Sequence, residues 1–266
     1  MNKATNALAE FREMDELAAM DSPIHRLHPL AKLLITVLYI VLVVSVPKYS
    51  LSRLTVFVLY PAALFALTGI PAGLCFYKLR IVLPLVCAVG LFNPLLDRTP
   101  LLYLGGTAVS GGTVSMVTLM LKGTLALTAS FLLAATTSMD SLCAALRKLH
   151  VPSVLVTLLL LTYRYISLLM EQVSVMTDAY ALRAPGQKGV HISAWGSFLG
   201  QLFLRSLDRA EELYASMQLR GFRGEFPYAE AAPWRGADSA FVLLCAGVLA
   251  VFRGVDLAGL LGGLFV

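Results

Sequence analysis

Residues 30–46 spell LAKLLITVLYIVLVVSV, a run of mostly apolar residues that stops at Pro47. A helix needs about 17–25 mostly apolar residues to cross the hydrocarbon layer of a bilayer, and this run is long enough. Four further runs stand at 54–70, 81–96, 114–137 and 240–266. The run 81–96 is short and contains Pro84, so it either crosses the bilayer or re-enters it. The sequence therefore predicts about five transmembrane helices.

The composition separates this chain from soluble proteins. Hydrophobic residues make up 58% and charged residues 14%, whereas an average soluble domain is about 25% charged. Eighteen charged residues fall within 138–235, against eight within 29–137. We predict an all-α integral membrane protein with a cytoplasmic coupling segment of three helices. Its predicted segments are an amphipathic N-terminal lead (1–29), four spans (30–137), the coupling helices (138–237) and a last span (238–266).

The distribution of Lys and Arg predicts the orientation. Ten of the 21 lie within 138–235, and most of the others lie near the N-terminus or beside Lys78. The cytoplasmic loops of membrane proteins carry an excess of Lys and Arg. We therefore expect a multi-pass protein of the inner (plasma) membrane, with this segment and the N-terminus on the cytoplasmic side. The net charge of +5 thus indicates topology and not nucleic-acid binding. The N-terminal residues lack the apolar core of a signal peptide. For residues 7–21 we predict a short amphipathic helix at the membrane surface.

The coupling segment predicts helices over 138–150, 152–183 and about 193–220. The second and third carry apolar residues at helical spacing and charged residues on other faces, which is typical of helices that pack by one face. At 1.5 Å per residue they are roughly 48 and 42 Å long.

The two long helices carry similar triplets at their ends, Leu182-Arg183-Ala184 and Leu219-Arg220-Gly221. One interpretation is local: an Arg in the last turn complements the helix dipole by about 0.3–1 kcal/mol, and Pro or Gly then stops the helix. The other is that each guanidinium, at the tip of a stiff helix and beside small residues, enters a groove of a partner and donates hydrogen bonds there.

These residues, taken in order, resemble the transmembrane T component of energy-coupling factor (ECF) transporters. The resemblance includes DSPIHRLHPLAKL at 21–33, Asn93-Pro94 at the end of the third run, and the two Arg triplets. It extends over nearly the whole chain. The long N-terminal lead before residue 21 is most similar to the cobalt-type (CbiQ) branch.

The resemblance implies a scaffold that is not itself an enzyme. Two cytoplasmic ABC ATPase subunits would bind it, Arg183 engaging one and Arg220 the other, and a separate S component in the membrane would bind the solute. ATP would be held by the ATPases and no cofactor by this chain, which agrees with the absence of a GxxxxGK[ST] phosphate loop. The implied function is energy coupling for cobalt uptake, as used in cobalamin biosynthesis.

Several residues leave alternatives open. We expect Lys122, inside a predicted span, to face other helices or the interface, with an ion relay as the alternative. His25 and His28 are either structural or metal ligands, and the four scattered cysteines indicate core packing and no zinc site. A permease with its own substrate pathway would explain Glu230-Ala231-Ala232 before Gly236, although no Ile-Xaa-Leu-Pro follows. A metal-dependent membrane transferase would use Asp178 and Arg183.

Overall fold

The computed structural model describes residues 3–96, 100–104, 107–187, 189–222, 224 and 233–254. They form two compact units, one from 1–16 and 138–231, the other from 17–137 and 232–266. The helices and strands, in chain order, are α1 Lys3–Ala18, α2 Pro29–Ser45, α3 Leu51–Val56, α4 Leu59–Thr68, α5 Ala72–Leu79, α6 Leu83–Leu91, α7 Asn93–Leu96, β1 Pro100–Leu104, β2 Thr107–Ser110, α8 Gly111–Thr136, α9 Met139–Lys148, α10 Ser153–Arg183, α11 Trp195–Leu219 and α12 Gly236–Gly254.

Among the described residues, three helices are long and apolar enough to cross a bilayer: α8, α10 and α12. The bent pair α5–α6 would be a fourth, and α2 is a shorter apolar helix of 17 residues. Helices α2 and α8 lie where the apolar runs predict them. Helix α12 begins four residues before the predicted run at 240, and that run beyond Gly254 lies outside the described residues. The chain is an all-α membrane protein, and the part of it that the structure describes contains one small hairpin besides the helices.

The predicted run 54–70 forms the shorter apolar helix Arg53–Thr68, whose hydrogen-bond pattern is interrupted at Phe57 and Val58, between α3 and α4. The cause is Pro61, which has no N–H and cannot donate to the carbonyl of Phe57 four residues earlier. That carbonyl instead accepts a hydrogen bond of 3.0 Å from the hydroxyl of Tyr39 on α2. A proline thus frees one backbone acceptor inside the spans, and a tyrosine from the neighbouring helix satisfies it.

The third run also differs from its prediction. It begins earlier, at Ala72, and consists of α5 and α6 joined at an angle of 58°. Pro84 lies in the first turn of α6 and cannot continue the hydrogen-bond pattern of α5. After α7, the strands β1 and β2 pair antiparallel, with Tyr103 opposite Ala108, a hairpin that the all-α prediction did not include. Asn93 in α7 donates to the hydroxyl of Ser115 on α8 at 3.2 Å.

The core of the unit of spans forms where α2, α3, α8 and α12 meet. Tyr39 and Phe57 are fully buried there, and the ring of Tyr39 also stacks on Tyr60 with centroids 4.4 Å apart. The other buried members of this core are Val43, Val46, Leu54, Leu125, Ala129 and Leu249.

Two lysines hold α2 and α8 together. Lys32, in the first turn of α2, donates to the carbonyl of Thr136 in the last turn of α8. Lys122 of α8 donates to the carbonyls of Val44, at 3.0 Å, and Val46, at the end of α2. Each lysine therefore binds the carboxyl end of the other helix, where unpaired carbonyls and the helix dipole favour a cation. The prediction that Lys122 faces other helices is confirmed.

The other unit contains α9, α10 and α11, as predicted for the coupling segment. The hydroxyl of Ser138 caps α9 by accepting from the amide of Ser141. Pro152 is the N-cap residue of α10 and not its first helical residue, so the helix starts at Ser153. A short 3-10 turn, Ile192–Ala194, leads into α11.

Candidate functional site

The first Arg triplet lies at the carboxyl end of α10. Arg183 is the last helical residue, and Ala184 ends the helix with its amide bonded to the carbonyl of Tyr180. The chain then turns through Gly186, whose φ of +97° favours glycine. The hydroxyl of Tyr180 donates to Gln187 at 2.9 Å and accepts from the amide of His191, so this turn is fastened back onto the helix.

The second Arg triplet ends α11 by a different geometry. Arg220 is the C-cap residue, and Gly221 follows in the left-handed region with φ +79°. The amide of Phe222 bonds to the carbonyl of Met217, and that of Gly221 to Gln218, which together make a Schellman motif. The two triplets look alike in sequence, but their helix ends are not equivalent. Ala184 needs no left-handed backbone, whereas Gly221 does.

Both tips are exposed to an unusual degree for leucine. Leu182 is 84% exposed and Leu219 is 90% exposed. The adjacent Arg183 and Arg220 are exposed too, and neither has an ion pair or hydrogen bond with any described side chain. Each tip thus offers an exposed apolar side chain beside an exposed guanidinium, and arginine is one of the residue types enriched at the anchor positions of protein interfaces.

Helices α10 and α11 contact each other along their middle sections and leave a groove of about 640 Å³ between them. The groove is mostly apolar but includes Glu171, Arg205 and Arg209. Its apolar lining is Leu161, Leu168, Leu169, Val175, Ala210 and Leu213. Outside the groove the predicted apolar stripes remain uncovered: Leu158 is 61% exposed and Phe203 is 61% exposed. These helices therefore bury little of their apolar surface within the described part of this chain.

The histidines of the N-terminal segment make local structural contacts. His25 bonds through Nδ1 to the hydroxyl of Ser22 at 2.7 Å and through Nε2 to the carbonyl of Leu17 at 3.0 Å. Because a carbonyl can only accept, Nε2 carries the proton and Nδ1 accepts from Ser22. The neighbouring Arg26 donates two hydrogen bonds to Asp21, which hold the pKa of that carboxyl below its ordinary value.

His28 caps α2, with Nδ1 accepting from the amide of Leu30. Its ring also packs against Trp234, with centroids 5.2 Å apart, and its own amide donates to the buried carboxylate of Asp238 at 2.8 Å. Sequence reasoning missed Asp238, although an acid in the first turn of the last helix was a visible signal. That carboxylate also accepts from the amide of Arg235, so it joins the start of α12 to the start of α2.

The rival site interpretations gain no support from the described residues. Within them, no group of three or more His, Cys, Asp and Glu side chains could hold a metal ion. Glu230, Ala231 and Ala232, the permease-like triplet, lie outside the described residues, and Gly236 begins α12.

Comparison with known proteins identifies the kind of chain this is. Residues 20–228 match the family described as CbiQ, cobalt transport protein. The nickel permease LarQ of Lactiplantibacillus plantarum is 33% identical over 91 residues, which cover 34% of this chain and 33% of that protein. The cobalt transport protein CbiQ of Rhodobacter capsulatus is 31% identical over 102 residues, 38% of this chain and 42% of that protein. The chain thus spans less than half the length of these two relatives.

A longer match is to the energy-coupling factor transporter transmembrane protein EcfT of Bacillus subtilis, which is 26% identical over 243 residues, 84% of this chain and 89% of that protein. The apolar helices and these matches define a membrane component of an energy-coupling factor transporter. The chain belongs to the CbiQ family, whose matched region covers most of its length. The resemblance noted from the sequence is confirmed.

Proposed function

We propose that this chain is the T subunit of an ECF-type importer and that it transmits ATP-driven motion from two cytoplasmic ATPases to a separate S component in the inner membrane. The observation that carries the proposal is the pair of exposed Leu-Arg tips on α10 and α11. Each Arg is expected to enter a groove on one ATPase and to donate hydrogen bonds to carbonyls or carboxylates there. The chain itself would bind neither ATP nor another cofactor.

The proposal requires α10 to lie on the cytoplasmic side together with the N-terminus. Length and composition alone would also allow α10 to span the bilayer. Its charged residues favour the cytoplasmic position. Arg164, Glu171 and Asp178 follow at intervals of seven residues, so they share one side of the helix. In a spanning α10, Arg164 would lie near the bilayer centre, at a cost of roughly 2.5–3.5 kcal/mol.

The groove between α10 and α11 supports the coupling step. Arg183 lies about 12 Å beyond Val175 along α10, and Arg220 about 10 Å beyond Leu213 along α11, at 1.5 Å per residue. A displacement of either tip therefore moves a stiff helix whose exposed apolar side chains are free to bind a membrane partner. We expect the S component to cover that apolar surface, because its burial is favourable and nothing described in this chain covers it.

The proposed solute is the cobalt ion. The family description and the relative from Rhodobacter capsulatus both name cobalt, whereas the relative from Lactiplantibacillus plantarum is named for nickel. Because the S component would choose the solute, uptake of Co²⁺ with Ni²⁺ as competitor tests the assignment in the assembled transporter. If the transporter takes up Ni²⁺ and an excess of Co²⁺ does not inhibit that uptake, nickel replaces cobalt as the proposed solute. The proposed coupling role is then unchanged.

The decisive experiment changes both tips. In the double variant Arg183→Ala, Arg220→Ala, each substitution removes charge-assisted hydrogen bonds of about 1.5–3 kcal/mol. We expect the chain to insert normally, the ATPases to copurify poorly, and solute uptake to be lost. The matched control is Arg164→Ala, an exposed arginine on the same helix but away from the tip, which should leave both properties intact. Wild-type copurification and uptake in the double variant would overturn the docking role.

A further inference from the structure

The N-terminal helix α1 is attached to the coupling helix α10. The hydroxyl of Tyr163 on α10 donates to the carboxylate of Asp15 on α1 at 2.6 Å. The ring of Tyr163 also packs on Phe11, with centroids 5.7 Å apart. Phe11 and Asp15 are four residues apart and therefore lie on the same side of α1. One tyrosine of α10 thus holds two successive turns of α1, through one polar contact and one aromatic contact.

Helix α1 also leads directly into the segment that begins the spans. It remains helical to Ala18, and the chain then continues through 19–28 into α2. The carbonyl of Leu17 is held by the ring of His25, as described above. Leu17 is only two residues beyond Asp15. Less than one helical turn therefore separates the residue that binds α10 from the residue that His25 holds.

We propose that α1 is a transmission element of the transporter, in which Tyr163 and Asp15 are positioning residues that pass the motion of α10 to the chain segment before the first span. This inference rests on the proposed function, because it takes the motion of α10 from the ATPases. A helical turn is stiff, with a backbone hydrogen bond closing each turn, so a displacement at Asp15 reaches Leu17 with little loss. A flexible linker at this place would absorb it.

The position of the contact agrees with this role. Asp15 and Tyr163 are 148 residues apart in the chain, and the coupling helix is otherwise poorly covered within its unit. The contact joins the two helices through one hydrogen bond and one ring contact. Its two parts separate in a test, since Phe at position 163 keeps the ring contact with Phe11 and loses only the hydroxyl.

The experiment uses the complex of the chain with its ATPases and S component. All four native cysteines are replaced by alanine, and Met20→Cys, at a residue 43% exposed just after α1, carries a bimane label. Addition of Mg-ATP should change the bimane fluorescence. We expect Tyr163→Phe and Asp15→Ala each to reduce that change severalfold, because each removes the hydrogen bond that joins α1 to α10. Asp15→Asn retains an acceptor oxygen and should restore most of the signal.

Two controls separate this proposal from the proposed function and from misfolding. Glu16→Ala removes a neighbouring exposed acid and should leave the Met20→Cys signal unchanged. A bimane on Ser197→Cys in α11 should respond to Mg-ATP equally in the wild-type and Tyr163→Phe chains, with ATPase copurification also unchanged. An undiminished Met20→Cys signal in Tyr163→Phe, or a Met20→Cys label that stays silent while Ser197→Cys responds, would overturn the role of α1. If the ATPases do not copurify with the wild-type chain, the proposed function is overturned instead.

Discussion

His150 and Gly221 occupy the same position of the same helix-ending motif. After α9, the amide of Val151 bonds to the carbonyl of Leu146, just as that of Phe222 bonds to Met217 after α11. The residue in the left-handed region is His150 with φ +62° in the first case and Gly221 with φ +79° in the second. Left-handed backbone costs a residue with a Cβ roughly 1–2 kcal/mol, so one helix carries a strain that the other avoids.

Exchange of these residues should therefore act in opposite directions. His150→Gly should stabilise the last turn of α9 by about 0.5–1 kcal/mol, and Gly221→Ala should destabilise the last turn of α11 by about 1 kcal/mol. A Cβ at Gly221 would meet no atom within 4 Å, so the second effect comes from the backbone alone. Hydrogen exchange of the last-turn amides measures both, at roughly fivefold per kcal/mol. Faster amide exchange in α9 of the His150→Gly variant, or unchanged exchange in α11 of the Gly221→Ala variant, would contradict the assigned motif.

At the scale of elements, α6 and α8 approach closely because residue 123 is glycine. A Cβ at Gly123 would lie 2.7 Å from Cγ1 of Val86, which is shorter than real contacts of this kind. Small residues allow such close approach between helices in a membrane. Gly123→Ala should therefore destabilise the purified protein in detergent by about 1–3 kcal/mol, as overpacking does, measured by its unfolding transition.

Two further variants check the cause. Gly90→Ala is the matched control, because its Cβ would lie 3.4 Å from the flexible Met116 side chain, and it should cost far less. Adding Val86→Ala to Gly123→Ala removes the clashing methyl groups and should recover most of the lost stability. If the double variant is no more stable than Gly123→Ala, packing at Val86 does not account for the loss, since alanine itself favours a helix more than glycine does.

Helices and their tips could be predicted from the sequence because periodicity and cap residues are local signals. The helices that carry Arg183 and Arg220 were found within two residues of their observed bounds. What escaped prediction depends on distant partners. The interruption near Phe57 comes from Pro61, and the carbonyl that it frees is bonded by the hydroxyl of Tyr39 on another helix. The bond of Asp238 to the His28 amide joins residues 210 apart. No local sequence pattern predicts such long-range pairs. The two Arg tips differ in backbone geometry, which their similar triplets do not indicate.

At the scale of the whole molecule, α10 decides the topology. Its first half is as apolar as a span, and its second half carries charge on one side. If α10 crosses the bilayer, α9 lies on one side, and Arg183 and the start of α11 lie on the other. If α10 lies along the cytoplasmic surface, α9 and α11 share a side, and both tips are available to the proposed ATPases. The cost of a central Arg164 favours the second arrangement.

Labelling from each side of the membrane distinguishes the two arrangements. In a chain whose four native cysteines are replaced by alanine, Lys148→Cys lies before α10 and Ser193→Cys after it, both at exposed positions. We expect an impermeant maleimide to label both in inside-out vesicles and neither in right-side-out vesicles. Ser50→Cys, between the first two predicted spans, should show the reverse pattern and reports vesicle orientation. If Lys148→Cys and Ser193→Cys label from opposite sides, α10 spans the bilayer and cannot present Arg183 to an ATPase in the manner proposed.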